Sequence, residues 1–351
     1  GAKVDAAKTI DNNADTNNTN TNTDTGTDNT DTTPQQPQDD STVQPASPTN
    51  QSTQQLPLPP TSPDRRVVGE RVNITDANEF NFASMVVILT LQLLHESVAT
   101  RMTTLQWFNL LHEKLPYVVF KHVDEFLLAL LKTLSDPSDK VVSYDIKVMA
   151  VLSTCTSYDP KLQELADAFF AKIMVDILDL FSTDRELFEQ RGSFIIRQLA
   201  RHVDTEKIFR AIADIILIED DLEFANLMVQ MLNLILLTAP EFFDFRQGLK
   251  HMETPESHSL FVVLYKSWCH SPVSTYALCL LSQMYEHCCQ LLHKFSRLEM
   301  TVSFLVEVDK LIQLLESPVF TFLRLQLLEP QKYAYLVKAL YGLLMLLPQS
   351  A

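Results

Sequence analysis

The chain has 351 residues and sets 28 Lys and Arg against 44 Asp and Glu, a formal net charge of −16 at pH 7. That acidic balance argues against a general nucleic-acid binder, which needs a basic stripe, and against direct electrostatic docking on anionic lipid. Five cysteines, an odd number with Cys288 and Cys289 adjacent, suit no disulfide framework and predict a reducing cytosolic location.

Residues 1–63 are of low complexity, with two Lys against eight Asp. Asn, Thr and Asp dominate 11–33, and Gln, Ser and Pro dominate 34–63. So little apolar surface cannot repay the entropy of ordering, and the segment is expected to be disordered. The chain opens Gly-Ala without Met, which reads as a fragment starting inside a linker. Thr33-Pro34, Ser47-Pro48 and Ser62-Pro63 fit proline-directed phosphorylation, although an unmodified linker is the simpler reading. Residues 64–80 form a charged transition. No basic-then-apolar signal segment opens the chain, and no apolar run reaches the roughly 20 residues of a membrane span. The nearest, Leu227 to Leu237, contains Gln230 and Asn233.

Helices are predicted from there to Pro348. The first two run over about 82–97 and 101–115, with Trp107, Leu110 and Leu111 inward. Residues 122–153 then make a helix–turn–helix unit. Phe126, Leu127, Leu130, Leu131 and Leu134 form one apolar stripe, and Val142, Ile146 and Met149 form the next. Asp136-Pro137-Ser138-Asp139 separates them, because Pro cannot sit in a helix interior and Asp and Ser supply capping oxygens. Asp159-Pro160 opens a long helix with Leu165, Phe169, Ile173 and Leu180 on its face. Thr183-Asp184 caps another through Phe194 and Leu199. Residues 205–218 and 222–237 make a further pair, 241–257 are irregular or short helix, and helices follow over 258–269, 273–294, 299–316, 318–328 and 331–347.

Two helices such as those in 122–153 expose too much apolar surface to stand alone and need similar neighbours on both sides. Helix pairs recur at roughly 40 residues, the period of HEAT and armadillo units. Leu134-Ser135-Asp136-Pro137 with Lys140-Val141-Val142 resembles the HEAT signature, with Val142-Ser143 where that signature usually has Val-Arg. Six glycines leave little material for hairpins or phosphate loops. The expected fold is all-α, a HEAT/armadillo-like solenoid of antiparallel helix pairs.

Catalytic signatures are weak. Cys269, His270, Cys279, His287, Cys288 and Cys289 fall within 21 residues. On one helix, however, Cys279 and Cys288 sit about half a turn out of phase, and zinc needs short paired ligands. A cysteine phosphatase needs Cys-x5-Arg, and Phe295 stands where that arginine would be. No nucleotide-binding glycine loop, zinc-protease or serine-hydrolase motif occurs in the chain. Asp220-Asp221 reads as a helix cap. Phe242, Phe243, Phe245, Tyr333, Tyr335 and Tyr341 suit either core packing or a docking surface.

From residue 260 the strings become specific. They are Trp268-Cys269-His270-Ser271-Pro272, the run from Phe304 through Glu307, Asp309 and Lys310 to Leu311, Ser317-Pro318-Val319-Phe320 with Leu323-Arg324-Leu325-Gln326, and Ala339-Leu340-Tyr341-Gly342-Leu343. Upstream, Thr104-Leu105-Gln106-Trp107, Leu131 to Asp136 and Arg191 to Leu199 add to them. Over about 80–351 the chain resembles the C-terminal domain of the HEAT-repeat scaffold of the PIKfyve/Fab phosphoinositide kinase complex. The resemblance implies a non-catalytic scaffold without cofactor or metal. Such a scaffold associates with itself and holds a PIKfyve/Fab-type phosphatidylinositol 3-phosphate 5-kinase together with a Sac-type phosphatase. It would act from the cytosol, peripherally on vacuole and late-endosome membranes. The expected organisation is a tail over 1–63, helical repeats over 64–257 and a self-association and docking region over 258–351. Candidate interface residues, taken from the resembling strings and filtered for anchor types, are Trp268, His270, Pro272, Phe304, Asp309, Lys310, Phe320, Arg324, Tyr341 and Gly342. Gly342 inside a helix suggests close approach of another helix. The alternatives are a transport-receptor-like solenoid that binds peptides and a phosphoinositide-modifying enzyme.

Overall fold

The computed structural model describes residues 81–154 and 159–347. The tail over 1–63, the transition over 64–80, Cys155 and Pro348 lie outside the described residues. Within them the chain is helical, with no strand. The first nine helices are α1 (Phe82–Gln92), α2 (Val98–Lys114), α3 (Pro116–Lys121), α4 (Val123–Thr133), α5 (Asp139–Ser153), α6 (Pro160–Thr183), α7 (Arg185–Leu187), α8 (Ser193–Leu199) and α9 (Thr205–Leu217). The others are α10 (Leu222–Thr238), α11 (Phe243–His251), α12 (Pro255–Trp268), α13 (Pro272–Leu281), α14 (Tyr285–Phe295), α15 (Val302–Leu315), α16 (Thr321–Gln326) and α17 (Ala334–Leu346).

The helices stack in two layers, as a solenoid requires. One layer runs α1, α4, α6, α9, α12, each packed on the next. The other runs α2, α5, α8, α10, α13, α15. First-layer helices start at Phe82, Val123, Pro160, Thr205 and Pro255, a spacing of roughly 40 residues. The stripe of Phe126, Leu127, Leu130 and Leu134 is buried between them, as are Val142, Ile146 and Met149. At the far end α17 leaves both rows and packs on α14.

Several helix ends are capped as their sequences predict, but Ser138, the N-cap of α5, makes no side-chain cap bond, and its N–H instead donates to Asp136 Oδ1. The Asp159 carboxylate accepts from the Lys161 N–H, Asp184 from Leu187, and Asp221 from Glu223 and Phe224. Thr301 Oγ1 accepts from the Phe304 N–H at 3.2 Å and starts α15. Thr301→Ala is expected to cost about 1 kcal/mol of stability, read as a lower urea midpoint at unchanged slope. Between repeats, Arg101 pairs with Asp136 at 2.6 Å and donates to the carbonyls of His95 and Glu96, so one buried guanidinium ties two successive turns. Glu241 bonds both Arg197 and Arg201. Burial alone would raise its pKa, but the two guanidiniums bring it down to about 2.

Several expectations change. Trp107 is 48% exposed and Leu110 also faces out; only Leu111 of that trio is buried. The inward face of α2 is instead Arg101, Thr104, Leu105, Phe108 and Leu111. Val87, Ile88 and Leu91 of α1 are exposed beside it, because α1 and α2 are the first described pair and no described helix stacks on their outer side. Leu165 lies outside the buried stripe of α6. The single helix expected over 273–294 is two. Gln283 takes a left-handed backbone (φ 58°), and the Met284 N–H closes onto the Cys279 carbonyl at 2.9 Å, the Schellman way of ending a helix. α3 and a π-helical turn over Phe188–Gly192 were not expected. Among the described residues no single helix is long and apolar enough to cross a membrane. α10 passes that test of length and composition only jointly with the residues to His251, across an 80° bend.

A candidate docking surface on the C-terminal helices

α10, α13 and α15 pack in a row, and the π turn over Phe188–Gly192 meets them at one end. A cavity of about 320 Å³ lies between them. Leu227, Met231, Leu234, Val273, Leu311 and Leu314 make its apolar wall. Glu189, Ser193, Gln230, Asn233, Ser274, Glu307 and Lys310 supply its polar groups.

Glu307 is the centre of that polar set. Gln230 Nε2 donates to its Oε1 at 2.9 Å and the Ser271 hydroxyl donates to its Oε2 at 3.3 Å. Ser271 Oγ in turn accepts from the Ser274 N–H and lies 2.8 Å from the Ser274 hydroxyl. Burial pushes the Glu307 carboxyl above the usual range, while the Ser271 hydrogen bond and the Lys310 charge work against that push. Among the described residues no Lys or Arg forms an ion pair with it.

The residues selected from the sequence fall into three groups. Trp268, Phe304 and Phe320 are buried. Trp268 stacks on Phe209, Phe304 meets Phe295 edge-on, and Phe320 packs beside Phe322. They hold helices together beneath the surface. Arg324, His270 and Pro272 sit at helix junctions, Arg324 in α16, Pro272 opening α13 and His270 just ahead of it. Arg324 Nη1 donates to the carbonyls of Leu315 and Ser317, and Nη2 to the Thr321 hydroxyl, closing the end of α15 onto α16. His270 and Pro272 flank Ser271, the N-cap of α13, and are half-buried. The third group is exposed: Asp309, Lys310 at the cavity, and Tyr341 on α17.

α17 has two faces. Leu336, Ala339 and Leu343 are buried toward α14, and the Tyr276 hydroxyl donates to the Ala339 carbonyl at 3.0 Å. The close approach inferred for Gly342 is made by this chain's own α14. A Cβ at that position would stand 2.5 Å from Leu292 Cδ1. The opposite face shows Tyr341 at 68% exposure and Met345 at 74%. Of the other aromatics, Phe242 is core, Phe243 is exposed and Phe245 packs on Phe209.

The break at Gln283 turns Cys288 back toward Cys279. Both thiols are buried, and the neighbouring Cys279 together with burial pushes the Cys288 thiol far up, so it stays protonated and is a poor nucleophile or metal ligand. Among the described residues no group of three His, Cys, Asp or Glu is arranged to hold a metal.

Glu189, Gln230 and Asn233 were not anticipated as site residues. Gln230 and Glu307 are 77 positions apart, and only the stacking of α10, α13 and α15 joins them. The one local signal was the pair of polar residues interrupting the apolar run of α10.

Residues 185–351 match the family model described as "Vacuolar protein 14 C-terminal Fig4p binding". Over 282 residues the chain is 39% identical to the Protein VAC14 homolog of Schizosaccharomyces pombe, covering 80% of this chain and 34% of that protein. Its identity to the Protein VAC14 homolog of Arabidopsis thaliana is 41% over 281 residues, covering 80% and 36%. Against the Vacuole morphology and inheritance protein 14 of Saccharomyces cerevisiae it is 36% over 262 residues, covering 75% and 28%. No solved structure gives a match. The chain thus spans about a third of the length of these relatives. Through residues 185–351, and the helices that stack ahead of them, the chain belongs to the vacuolar protein 14 family.

Proposed function

We propose that the chain is a non-catalytic scaffold whose C-terminal helices associate with a second copy and dock a Sac-type phosphoinositide phosphatase. The observation that carries the reading is the match of residues 185–351 to a family described by Fig4p binding. Two features of that region support the reading: the exposed Tyr341 and Met345 face of α17, and the cavity around Glu307. Large aromatic and Met side chains anchor interfaces, and stacked helices present them rigidly. In the full assembly the scaffold would also engage a PIKfyve/Fab-type lipid kinase. It would thereby set synthesis and turnover of phosphatidylinositol 3,5-bisphosphate at vacuole and late-endosome membranes, reaching them through its complex. Two opposing enzymes on one frame share a high effective concentration.

Light scattering of the full chain with and without the phosphatase tests this. A mass above one copy that rises further when phosphatase is added is expected; a strict monomer that ignores the phosphatase overturns the reading. Tyr341→Asp places a charge on the exposed face of α17 and is expected to lower the oligomer mass at unchanged helical circular dichroism.

A further inference from the structure

The cavity between α10, α13 and α15 sets two carboxylates, Glu189 and Glu307, against a single cation, Lys310. Asn233 lines it at 8% exposure, and its Oδ1 receives no hydrogen bond. Glu307 receives only neutral donors, from Gln230 and Ser271, and each carboxylate oxygen keeps a lone pair. Glu189, carried in by the π turn, adds a second carboxylate at the exposed edge. Lys310 is the one cation there, and it is exposed and in no ion pair. A half-buried carboxylate and an orphaned buried amide beside an apolar wall favour a ligand that only donates, is charged and is flat.

We propose that this cavity receives an arginine side chain from a polypeptide partner, its guanidinium meeting Glu307 and Asn233 while its methylene stem lies along Leu227, Met231 and Leu311. Guanidinium has five donors and no acceptor, so it leaves no new group unpaired. It is less strongly hydrated than an ammonium and enters a partly apolar site at smaller cost, and its stem prefers apolar surface. Lys310 competes for the same carboxylate from the rim and swings outward when the guanidinium enters. The inference rests on the scaffold reading only for the identity of the partner.

The test uses the full chain and a capped amino acid, N-acetyl-L-arginine methylamide, with the citrulline and lysine analogues beside it. Saturation-transfer NMR and the Met231 methyl resonance follow binding. Saturable binding of the arginine probe, weaker binding of the lysine analogue and none of the citrulline analogue are expected. Glu307→Gln keeps the shape and is expected to weaken the arginine probe about tenfold or more, since the carboxylate charge and one of its two acceptor oxygens are lost. Lys310→Gln, at the exposed rim, removes the competing cation and is expected to tighten it. Citrulline binding as well as arginine, no saturation by arginine, or weaker arginine binding in Lys310→Gln overturns the proposal, the last even where Glu307→Gln fails to fold. The probe needs no phosphatase. Lost probe binding with intact phosphatase docking sinks this inference alone, and the converse sinks the docking reading alone.

Discussion

Trp268→Ala is expected to lower the unfolding free energy by about 3–5 kcal/mol, the usual cost of emptying a large aromatic site in a core. Trp268 ends α12, is fully buried and stacks on Phe209 of α9 at 6.2 Å between ring centroids. α9 and α12 are neighbouring first-layer helices, so the cavity would open between two repeats rather than inside one. The surrounding helices are held from both sides and cannot collapse into it. The indole Nε1 has no acceptor, which makes the ring replaceable by another ring. Trp268→Phe is therefore expected to recover most of the loss. Urea denaturation of both variants checks this. A Trp268→Ala variant with wild-type stability and lost phosphatase binding would make Trp268 a contact residue after all.

The second large effect is on pH dependence. Asp145 in α5 is fully buried, and neither carboxylate oxygen has a hydrogen-bond partner. Burial, and then the nearby Asp136 charge, push its carboxyl well above the ordinary value of 3.8. Asp136 is itself committed to Arg101, so that guanidinium leaves Asp145 uncompensated. In the folded chain Asp145 holds its proton over a range where the unfolded chain has released it. Its favourable contribution is full below the ordinary carboxylate range and is lost as pH rises through the elevated folded value. Asp145→Asn has no proton to release. Melting temperatures of the two proteins are expected to converge near pH 4 and to separate as pH rises, the variant being more stable at pH 7 by on the order of 1–3 kcal/mol. Parallel curves over that range would show that Asp145 is not protonated in the folded state.

What could be read from the residues was whatever local chemistry decides. Pro160 and Pro272 stand first in their helices, Pro137 lies in the turn between α4 and α5, and Asp159, Asp184 and Asp221 cap helices as carboxylates do. What escaped depends on partners far along the chain. The helix break at Gln283 is held from outside. Its side chain donates to the Lys250 carbonyl at 3.1 Å and accepts from Gln326 at 2.7 Å, and Gln326 also meets the Tyr285 hydroxyl. A glutamine in a left-handed backbone has no local reason to be there. Trp107 was misplaced because α1 and α2 carry apolar residues all round, so periodicity named no inward side. The aromatic residues selected as interface anchors went largely to the core. Aromatic bulk serves both purposes, and only burial tells them apart. The cavity was invisible because its polar groups come from five separate elements.

The outward turn of Trp107 and the complete burial of Trp268 give this chain a natural pair of optical reporters. They are its only two tryptophans. Trp107 emits from water at the first described repeat, and Trp268 emits from hydrocarbon in the α9–α12 contact. A stack held by nearest neighbours loosens from an end before it melts through the middle. Iodide will therefore quench one component of the emission at once and reach the other only when the stack opens. Without any label, the fluorescence of the unmodified protein then separates fraying from unfolding, and covering of the first repeat from both.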